Sequence, residues 1–457
     1  MGLAFFPRGG SAHVARNLAT GLRGAGWDVT IASGSLTRPG EPGDAREFYA
    51  GLDVRPLDMT RALEAADPMA ADPPMHPSYE DRDGAPDRVF ASLDDDEYER
   101  QVVAWARTLQ SVGAASADVL HLHHLTPIHE AAGRAAPGVP IVGHLHGTEL
   151  LMLEAIEADP GRWPHAAAWA ARLRAWARAC ERVIVLTETQ VARAEQLLGL
   201  DPDRCVLVPN GFDPEAFRPG RSDHVAHWRR HLVEQPQGWA PGQGAGSVAY
   251  ADEDLAAFAD ADGATPVLLY VGRFTEVKRL PLLIEAYALA RPGFAHRAPL
   301  VMVGGFPWEW EGEHPLEAIR RVGARDVFLA GWHGHDELPA FLAASDVVVL
   351  PSVREQFGQV LVEGMACGLP AIAVDAFGPA RIVTHGETGW LVEPDDVVSL
   401  ANALVHAVNS PVERARRGER AAVEAAAHYA WPALAREVAS VYDAARGAEH
   451  GLLGAGA

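Results

Sequence analysis

Between Ser345 and Leu369 the chain reads as a strand, a glycine turn and a helix in that order, and this sequence of elements leaves few folds open. The apolar run Ser345-Asp346-Val347-Val348-Val349-Leu350-Pro351 reads as a buried parallel strand, and Gln359 to Cys367 reads as a helix entered through Gly358. Such a turn aims unpaired backbone N–H groups and the positive end of a helix dipole at whatever sits above the strand. A phosphate is the natural occupant. Glu355 lies in the turn and Glu363 about two helical turns inside. Carboxylates do not hold phosphate oxygens, so these two are expected to accept hydrogen bonds from hydroxyl groups flanking a diphosphate, as in a sugar nucleotide. The competing reading is a surface helix with two solvated glutamates. What favours the site is the neighbouring pair Arg273 and Lys278 together with the later Gly378-Pro379 turn.

With 457 residues the chain has room for two domains, and a hydrophobic share of 48% is ordinary for globular protein. Its 39 basic and 61 acidic residues leave a net charge of −22, which argues against a nucleic-acid surface, so any anion site must be local. No run approaches the roughly 20 apolar residues of a membrane span. The start Leu3-Ala4-Phe5-Phe6 lacks the basic n-region of a signal peptide, and a cytoplasmic location is expected. Cys180, Cys205 and Cys367 have neither pairing nor metal spacing.

The N-terminal part opens as a βαβ unit: a strand over residues 3 to 6, the turn around Gly9-Gly10, a helix carrying Val14, Leu18 and Leu22, and a strand from Asp28 to Ala32. The G-x-G-x-x-G spacing of a dinucleotide fold is missing, and the paired glycines are read as a place where a diphosphate approaches the backbone. Residues 53 to 93, rich in Pro, Asp and Met, read as an acceptor-side loop or lid, or as disordered chain. Two strands then run into histidines, Asp118 to His124 and Pro140 to Glu149. His121, His123, His124, His129, His144 and His146 invite a metal reading. The preferred alternative needs no metal: histidines at the carboxyl ends of parallel strands reach a ligand at the sheet edge, and His146 is the foremost candidate. The helix Trp163 to Arg182, with Trp169, Trp176 and four arginines, reads as an ordinary packed helix, with contact to a lipid surface as the alternative.

From Asp213 to Ala264 the apolar period fades into Pro/Gly-rich chain, read as linker or insertion rather than core. A second set of alternating strands and helices follows, beginning with Val267 to Val271 and ending at Gly272-Arg273, with Lys278 opening the next helix. Two cations therefore stand beside the turn that holds Glu355, where they can neutralise a departing diphosphate. The tail helix Pro432 to Arg446 carries Leu434, Val438 and Tyr442 on one face.

These residues resemble the retaining glycosyltransferases of family 4. The motifs that carry the resemblance are Gly272-Arg273, Lys278, Glu355-x-Phe357-Gly358-x4-Glu363-Gly364-x-Ala366-x-Gly368-Leu369-Pro370, Gly378-Pro379, Gly386-x-Thr388-Gly389-x-Leu391-Val392 and Pro394, with Gly9-Gly10, His146-Gly147-Thr148-Glu149 and Asn210-Gly211 earlier in the chain. The resemblance implies an α/β chain of the GT-B fold, two Rossmann-like doubly wound domains facing each other across a cleft. An acceptor-side domain would span residues 1–212, a linker 213–264 and a nucleotide-sugar domain 265–431, with the tail helix 432–446 crossing back to the first. Arg273 and Lys278 would bind the diphosphate, Glu355 the sugar hydroxyls and Glu363 the ribose diol. Phe357, Gly358, Gln359 and Val360 would offer backbone groups, His333 would border the base, His146 would contact the transferred sugar and Gly9-Gly10 would face the diphosphate.

The resemblance implies transfer of a hexose from a nucleoside-diphosphate sugar, uridine favoured, with no metal or other cofactor. The acceptor would be a small molecule, lipid or glycan. The two irregular segments lie outside the motifs and are where acceptor identity is expected to reside. A phosphorylase or sugar-nucleotide epimerase could use the same architecture, and would be told apart by orthophosphate dependence or by isomerised donor. A sugar-nucleotide-binding protein without turnover would tolerate loss of Lys278. A histidine-based metallohydrolase would lose activity in chelator.

Overall fold

The apolar runs form a seven-stranded and a six-stranded parallel sheet. The computed structural model describes residues 1–7, 9–37, 43–80, 87–259 and 265–453. They fall into two units, Met1–Asn210 with Trp431–Ala457, and Gly211–Ala430. Among the described residues no helix is long and apolar enough to cross a membrane.

In the first unit the strands are β1 (Gly2–Leu3), β2 (Thr30–Ser35), β3 (Asp53–Asp58), β4 (Leu120–His123), β5 (Ile141–His144), β6 (Arg182–Val185) and β7 (Cys205–Leu207), in the spatial order β3-β2-β1-β4-β5-β6-β7. The order reverses between β1 and β4, so the carboxyl ends of those strands flank the crevice where doubly wound sheets take ligands. The first strand is shorter than the apolar run predicts: Phe5 leaves it to pack edge-on against His76 at 5.1 Å and His124 at 5.0 Å. Helix Gly10–Gly24 buries Val14, Leu18 and Leu22 in one cluster with Leu434, Val438 and Tyr442 of the final helix, Trp431–Leu453. The final helix thus belongs to the first unit.

One expectation for this unit is corrected, and one is met, since the helix bearing Trp169 and Trp176 is the ordinary packed helix read from the sequence. The segment 53–93 is not disordered chain where it is described: Met59, Met69 and Met75 are fully buried, and Gln101 Nε2 donates to the Met75 carbonyl at 2.5 Å. Residues 81–86 lie outside the described residues. Scattered methionines anchor this chain without a helical or strand period, which is why its pattern looked irregular. Helix Ala166–Ala179 turns Trp169 and Trp176 inward, with Trp169 Nε1 donating to the Leu93 carbonyl at 2.8 Å, so the apolar anchors of a lipid contact are already used in the core. Arg172 lies 4.0 Å over the Tyr98 ring and pairs with Asp95. Asp95 opens helix Asp95–Ser111, where Asp94 accepts from Glu97 N at 2.9 Å and Glu97 from Asp94 N at 3.0 Å. This reciprocal cap satisfies two of the four orphan N–H groups.

The second unit contains β8 (Leu268–Gly272), β9 (Leu300–Gly304), β10 (Val327–Gly331), β11 (Val347–Leu350), β12 (Ala371–Val374) and β13 (Gly389–Val392), ordered β10-β9-β8-β11-β12-β13. Its reversal lies between β8 and β11, placing Arg273 after one strand and the Glu355 turn after the other. Residues 213–264, expected as linker outside the core, belong to this unit as far as they are described. Trp228 and Trp239 are buried there, with Trp228 Nε1 donating to the Ala344 carbonyl at 3.0 Å and Trp239 Nε1 to the Gly305 carbonyl at 2.8 Å. Residues 260–264 lie outside the described residues.

Candidate active site

In the second unit two carboxylates bracket one glycine-led helix start. Gly358 caps helix Gln359–Ala366 with φ 103°, a left-handed conformation that side chains bearing Cβ rarely adopt. The turn before it is pinned from outside: Gly378 N donates to the Glu355 carbonyl at 3.1 Å, and a Cβ on Gly378 would fall 2.2 Å from the Phe357 carbonyl oxygen. Phe357 is buried, its ring edge-on to Tyr429 at 6.2 Å. Gln359 and Val360 occupy the first helical turn, whose N–H groups have no carbonyl of the same helix to meet.

Lys278 Nζ forms an ion pair with Glu355, each side chain 18% exposed. Lys278 does not open the following helix: it ends a short 3-10 turn, Glu276–Lys278, and the helix Leu280–Ala290 begins after Arg279, which takes a left-handed φ of 55°. That break frees the lysine from helical geometry and lets it reach back to the carboxylate. Arg273, one residue past β8, is exposed, and Tyr270 Oη donates to its carbonyl at 2.8 Å.

Glu363 is only 2% exposed. Its Oε1 lies 2.7 Å from His335 Nε2 and 3.1 Å from Gln359 Nε2, and Gln359 Nε2 also donates to the Gly211 carbonyl at 2.7 Å. His335 is the residue that sequence reasoning missed. The same loop offers His333 and His335 two residues apart, and the structure turns them differently: His333 packs on His231 at 4.9 Å and Phe341 at 4.6 Å, while His335 meets Glu363 and stacks near Phe217 at 5.4 Å. The His333 side chain itself is buried, with Nδ1 3.3 Å from Glu337 Oε2. A signal existed in the alternation of the pair, but nothing in sequence says which of two alternating residues faces the helix.

In the first unit five of the predicted histidines, His121, His123, His124, His144 and His146, pack ring to ring along β4 and β5, while His129 lies in helix Ile128–Ala135 with Nδ1 3.2 Å from the Thr126 carbonyl oxygen. His121 Nδ1 meets Tyr442 Oη at 2.5 Å and its Nε2 meets His144 Nδ1 at 3.1 Å. His146 Nε2 meets His123 Nδ1 at 3.0 Å, and its ring lies 4.6 Å from that of His144 and 4.3 Å from that of His124. Glu149 is fully buried and accepts from His124 Nδ1 at 2.8 Å and Gly147 N at 2.9 Å. Burial raises the Glu149 carboxyl, and His124 with the backbone donors lowers it more, so it lies below the usual carboxylate range. Burial, helped by neighbouring rings, drives His121, His123 and His146 well below the usual imidazole value, and burial brings His144 down to about 3 and His129 to about 4. Neutral rings of this kind each donate at one nitrogen and accept at the other. Gly9, the N-cap of helix Gly10–Gly24, and Gly10 are exposed, and a Cβ on either would meet nothing within 4 Å. Backbone approach is therefore open at this helix start.

Among the described residues two groups of side chains have metal-ligand composition: His121 with His123 and His144, and His231 with His333 and Glu337, each set with one ligand atom per residue within 4.8 Å of the others. A cavity of about 600 Å³ in the second unit, lined by Arg221, Asp346, Gly368 and Arg414 among others, does not include either carboxylate of the helix start.

Family models match both units: one described as Glycosyltransferase Family 4 over residues 8–216, and one described as Glycosyl transferases group 1 over residues 252–424. D-inositol 3-phosphate glycosyltransferase 2 of Catenulispora acidiphila is 31% identical over 279 residues, covering 58% of this chain and 56% of that protein. The chain thus spans little more than half the length of that relative. D-inositol 3-phosphate glycosyltransferase of a Nocardioides species is 27% identical over 448 residues, covering 92% of this chain and 89% of the relative. Among solved structures, the Anabaena protein HepE in complex with UDP and glucose superposes with a TM-score of 0.66 at 19% identity, covering 97% of this chain and 98% of HepE. The shared architecture is GT-B, with two Rossmann-like domains.

Proposed function

The chain belongs to glycosyltransferase family 4, and we propose that it transfers a hexose from a nucleoside-diphosphate sugar, with uridine as the base, to an acceptor hydroxyl with retention of configuration. The observation that carries this reading is the pair of glutamates around one helix start, Glu355 held by Lys278 and Glu363 held by His335. HepE has been crystallised with UDP and with UDP-glucose, which supports uridine as the base. The names of the relatives make an inositol phosphate the first acceptor class to test.

The chemistry asked of these residues is charge stabilisation rather than nucleophilic attack. Lys278 and Arg273, with the N–H groups of the helix start, take the negative charge that grows on the diphosphate as the glycosidic bond loosens. Positive charge from the chain serves the part that a metal ion plays elsewhere. Glu355 orients the sugar through its hydroxyl groups and Glu363 the ribose diol. The acceptor hydroxyl attacks from the face that the diphosphate leaves, giving its proton to a donor phosphate oxygen, so one bond to the anomeric carbon replaces another on the same face.

The test is thermal stability against UDP, GDP, ADP, TDP and their sugars without added metal. A ligand at about 100 times its Kd adds roughly 2.7 kcal/mol. The reading expects UDP and one UDP-sugar to stand out, followed by UDP release on adding an inositol phosphate and a product whose anomeric proton coupling matches the donor's. No shift with any nucleotide removes the donor site; inversion at the anomeric carbon removes the mechanism.

A further inference from the structure

A second group of side chains, outside the proposed transfer chemistry, has the composition of a metal centre. Helix His224–Arg229 runs directly into a π-turn, Arg230–Glu234, a distortion that recurs at functional positions. His231 sits in that turn. About a hundred residues later the loop after β10 supplies His333 and Glu337, with His333 Nδ1 3.3 Å from Glu337 Oε2. One ring nitrogen of each histidine and one Glu337 carboxylate oxygen all lie within 4.8 Å of one another.

Independent details of the same place point to a ligand. The His333 side chain is 7% exposed, and its Nε2 is buried with no hydrogen-bond partner among the described residues. A buried ring nitrogen left in that state costs free energy unless something binds it. His227, one turn before His231 and 4.6 Å from its ring, likewise has a buried Nε2 without a partner among the described residues. Glu337 is 53% exposed, which leaves a path from solvent. The first unit's histidine ladder also holds buried Nε2 atoms without a partner among the described residues, on His123 and His144, but no carboxylate stands among the three that are close enough, and His121 spends both ring nitrogens on Tyr442 and His144.

We propose that His231, His333 and Glu337 bind a zinc-class divalent transition metal, with the fourth position left to water. Two imidazoles and one carboxylate select borderline metals over magnesium or calcium, which prefer all-oxygen shells. Bonds of about 2.0 to 2.2 Å would draw these three neighbouring side chains onto one ion. The ion would join chain that sequence separates widely: the segment carrying Trp228 and Trp239 on one side, and on the other the loop that delivers His335 to Glu363. Backbone already brings these together, with Gln237 bridging to Gly331 so closely that a Cβ on Gly331 would fall 2.0 Å from the Gln237 carbonyl oxygen. The centre is distinct from the diphosphate subsite and does not rest on the donor assignment.

The test uses the full chain without an affinity tag, stripped with chelator, dialysed and titrated with cobalt(II). The expected result is close to one equivalent bound, a visible absorption spectrum typical of imidazole and oxygen ligands, displacement by zinc, and a rise in melting temperature that chelator reverses. Glu337→Gln, a change at an exposed side chain, and His333→Ala should each weaken cobalt binding at least about tenfold while the metal-free proteins keep the wild-type circular dichroism. Should His333→Ala fail to fold, Glu337→Gln decides alone. Absence of binding by wild type, or full binding by Glu337→Gln, would overturn the assignment; the second outcome would place the metal at another set of histidines. Nucleotide-induced melting shifts, read on metal-free protein, keep this result separate from the donor site.

Discussion

His335 Nε2 lies 2.7 Å from Glu363 Oε1, joining the loop after β10 to the second carboxylate of the glycine-led helix. Glu363 is otherwise met by Gln359, so the histidine sets which way the carboxylate presents its free edge. A hydrogen bond to a charged group contributes about 1.5 to 3 kcal/mol. His335→Ala should therefore weaken UDP binding by about tenfold or more in calorimetry and also lower the melting temperature of the free protein, since it strips a partner from a buried carboxylate. An unchanged Kd would show that Glu363 is oriented without it.

Lys278→Ala addresses the other carboxylate. Because the lysine meets Glu355 from the end of a short 3-10 turn rather than from a strand or long helix, its loss should leave the fold intact. Removing a donor that stabilises developing charge costs about 2.7 to 4 kcal/mol of transition-state stabilisation, or a hundredfold to thousandfold in kcat. Steady-state kinetics with a UDP-sugar, beside a melting curve, separates this from unfolding. Wild-type turnover would remove Lys278 from the mechanism.

The pinned turn gives a stability prediction. Gly378→Ala places a methyl 2.2 Å from the Phe357 carbonyl oxygen, a backbone atom that cannot swing aside as a side chain would. The turn from Glu355 to Gly358 must move, and the loss expected for such overpacking is about 1 to 3 kcal/mol, accompanied by loss of nucleotide binding. Urea unfolding measures the first and a melting shift with UDP the second. A variant with unchanged urea midpoint and full UDP response would mean that the turn is not held by this contact.

What sequence made legible follows from spacing. Parallel strands read as short apolar runs, and the stretch from Glu355 to Glu363 fixes its own geometry because turn and helix are contiguous, so both carboxylates and Lys278 could be named in advance. His335 could not, because its partner lies across a connection whose path is tertiary. The same cause hid Trp228 and Trp239: single large anchors in Pro/Gly-rich chain bury a segment without any period for a sequence reading to detect. Met69 and Met75 did the same between residues 53 and 93. In each case the error was to equate missing periodicity with missing core.

The buried histidines of the first unit predict acid sensitivity with a definite sign. Burial holds His129 near 4 and His144 near 3, against 6.5 for an exposed ring. The unfolded chain therefore takes up protons first as pH falls below about 6.5, and each such group removes about 1.4 kcal/mol of stability per pH unit until its folded value is reached. The Glu149 carboxyl, held below its usual 4.5, adds to the loss further down. Melting temperature should fall steeply from pH 6.5 to 4, with proton uptake on unfolding in that window by calorimetry in buffers of different ionisation heat. A flat profile would show that these rings titrate normally in the folded protein.

The segment 213–264 supplies the remaining test. Trp228 is fully buried, stacks on Phe258 at 5.8 Å, packs against Phe341 at 5.7 Å and donates to the Ala344 carbonyl at 3.0 Å. Truncation would leave a cavity and an unmet carbonyl together. Trp228→Ala should cost about 3 to 5 kcal/mol in urea unfolding. Val412→Ala, at a side chain that is 79% exposed, serves as the control and should stay within about 0.5 kcal/mol of wild type. A linker outside the core would give two indistinguishable curves; a midpoint lowered only by the tryptophan change requires that this segment fold with the second unit.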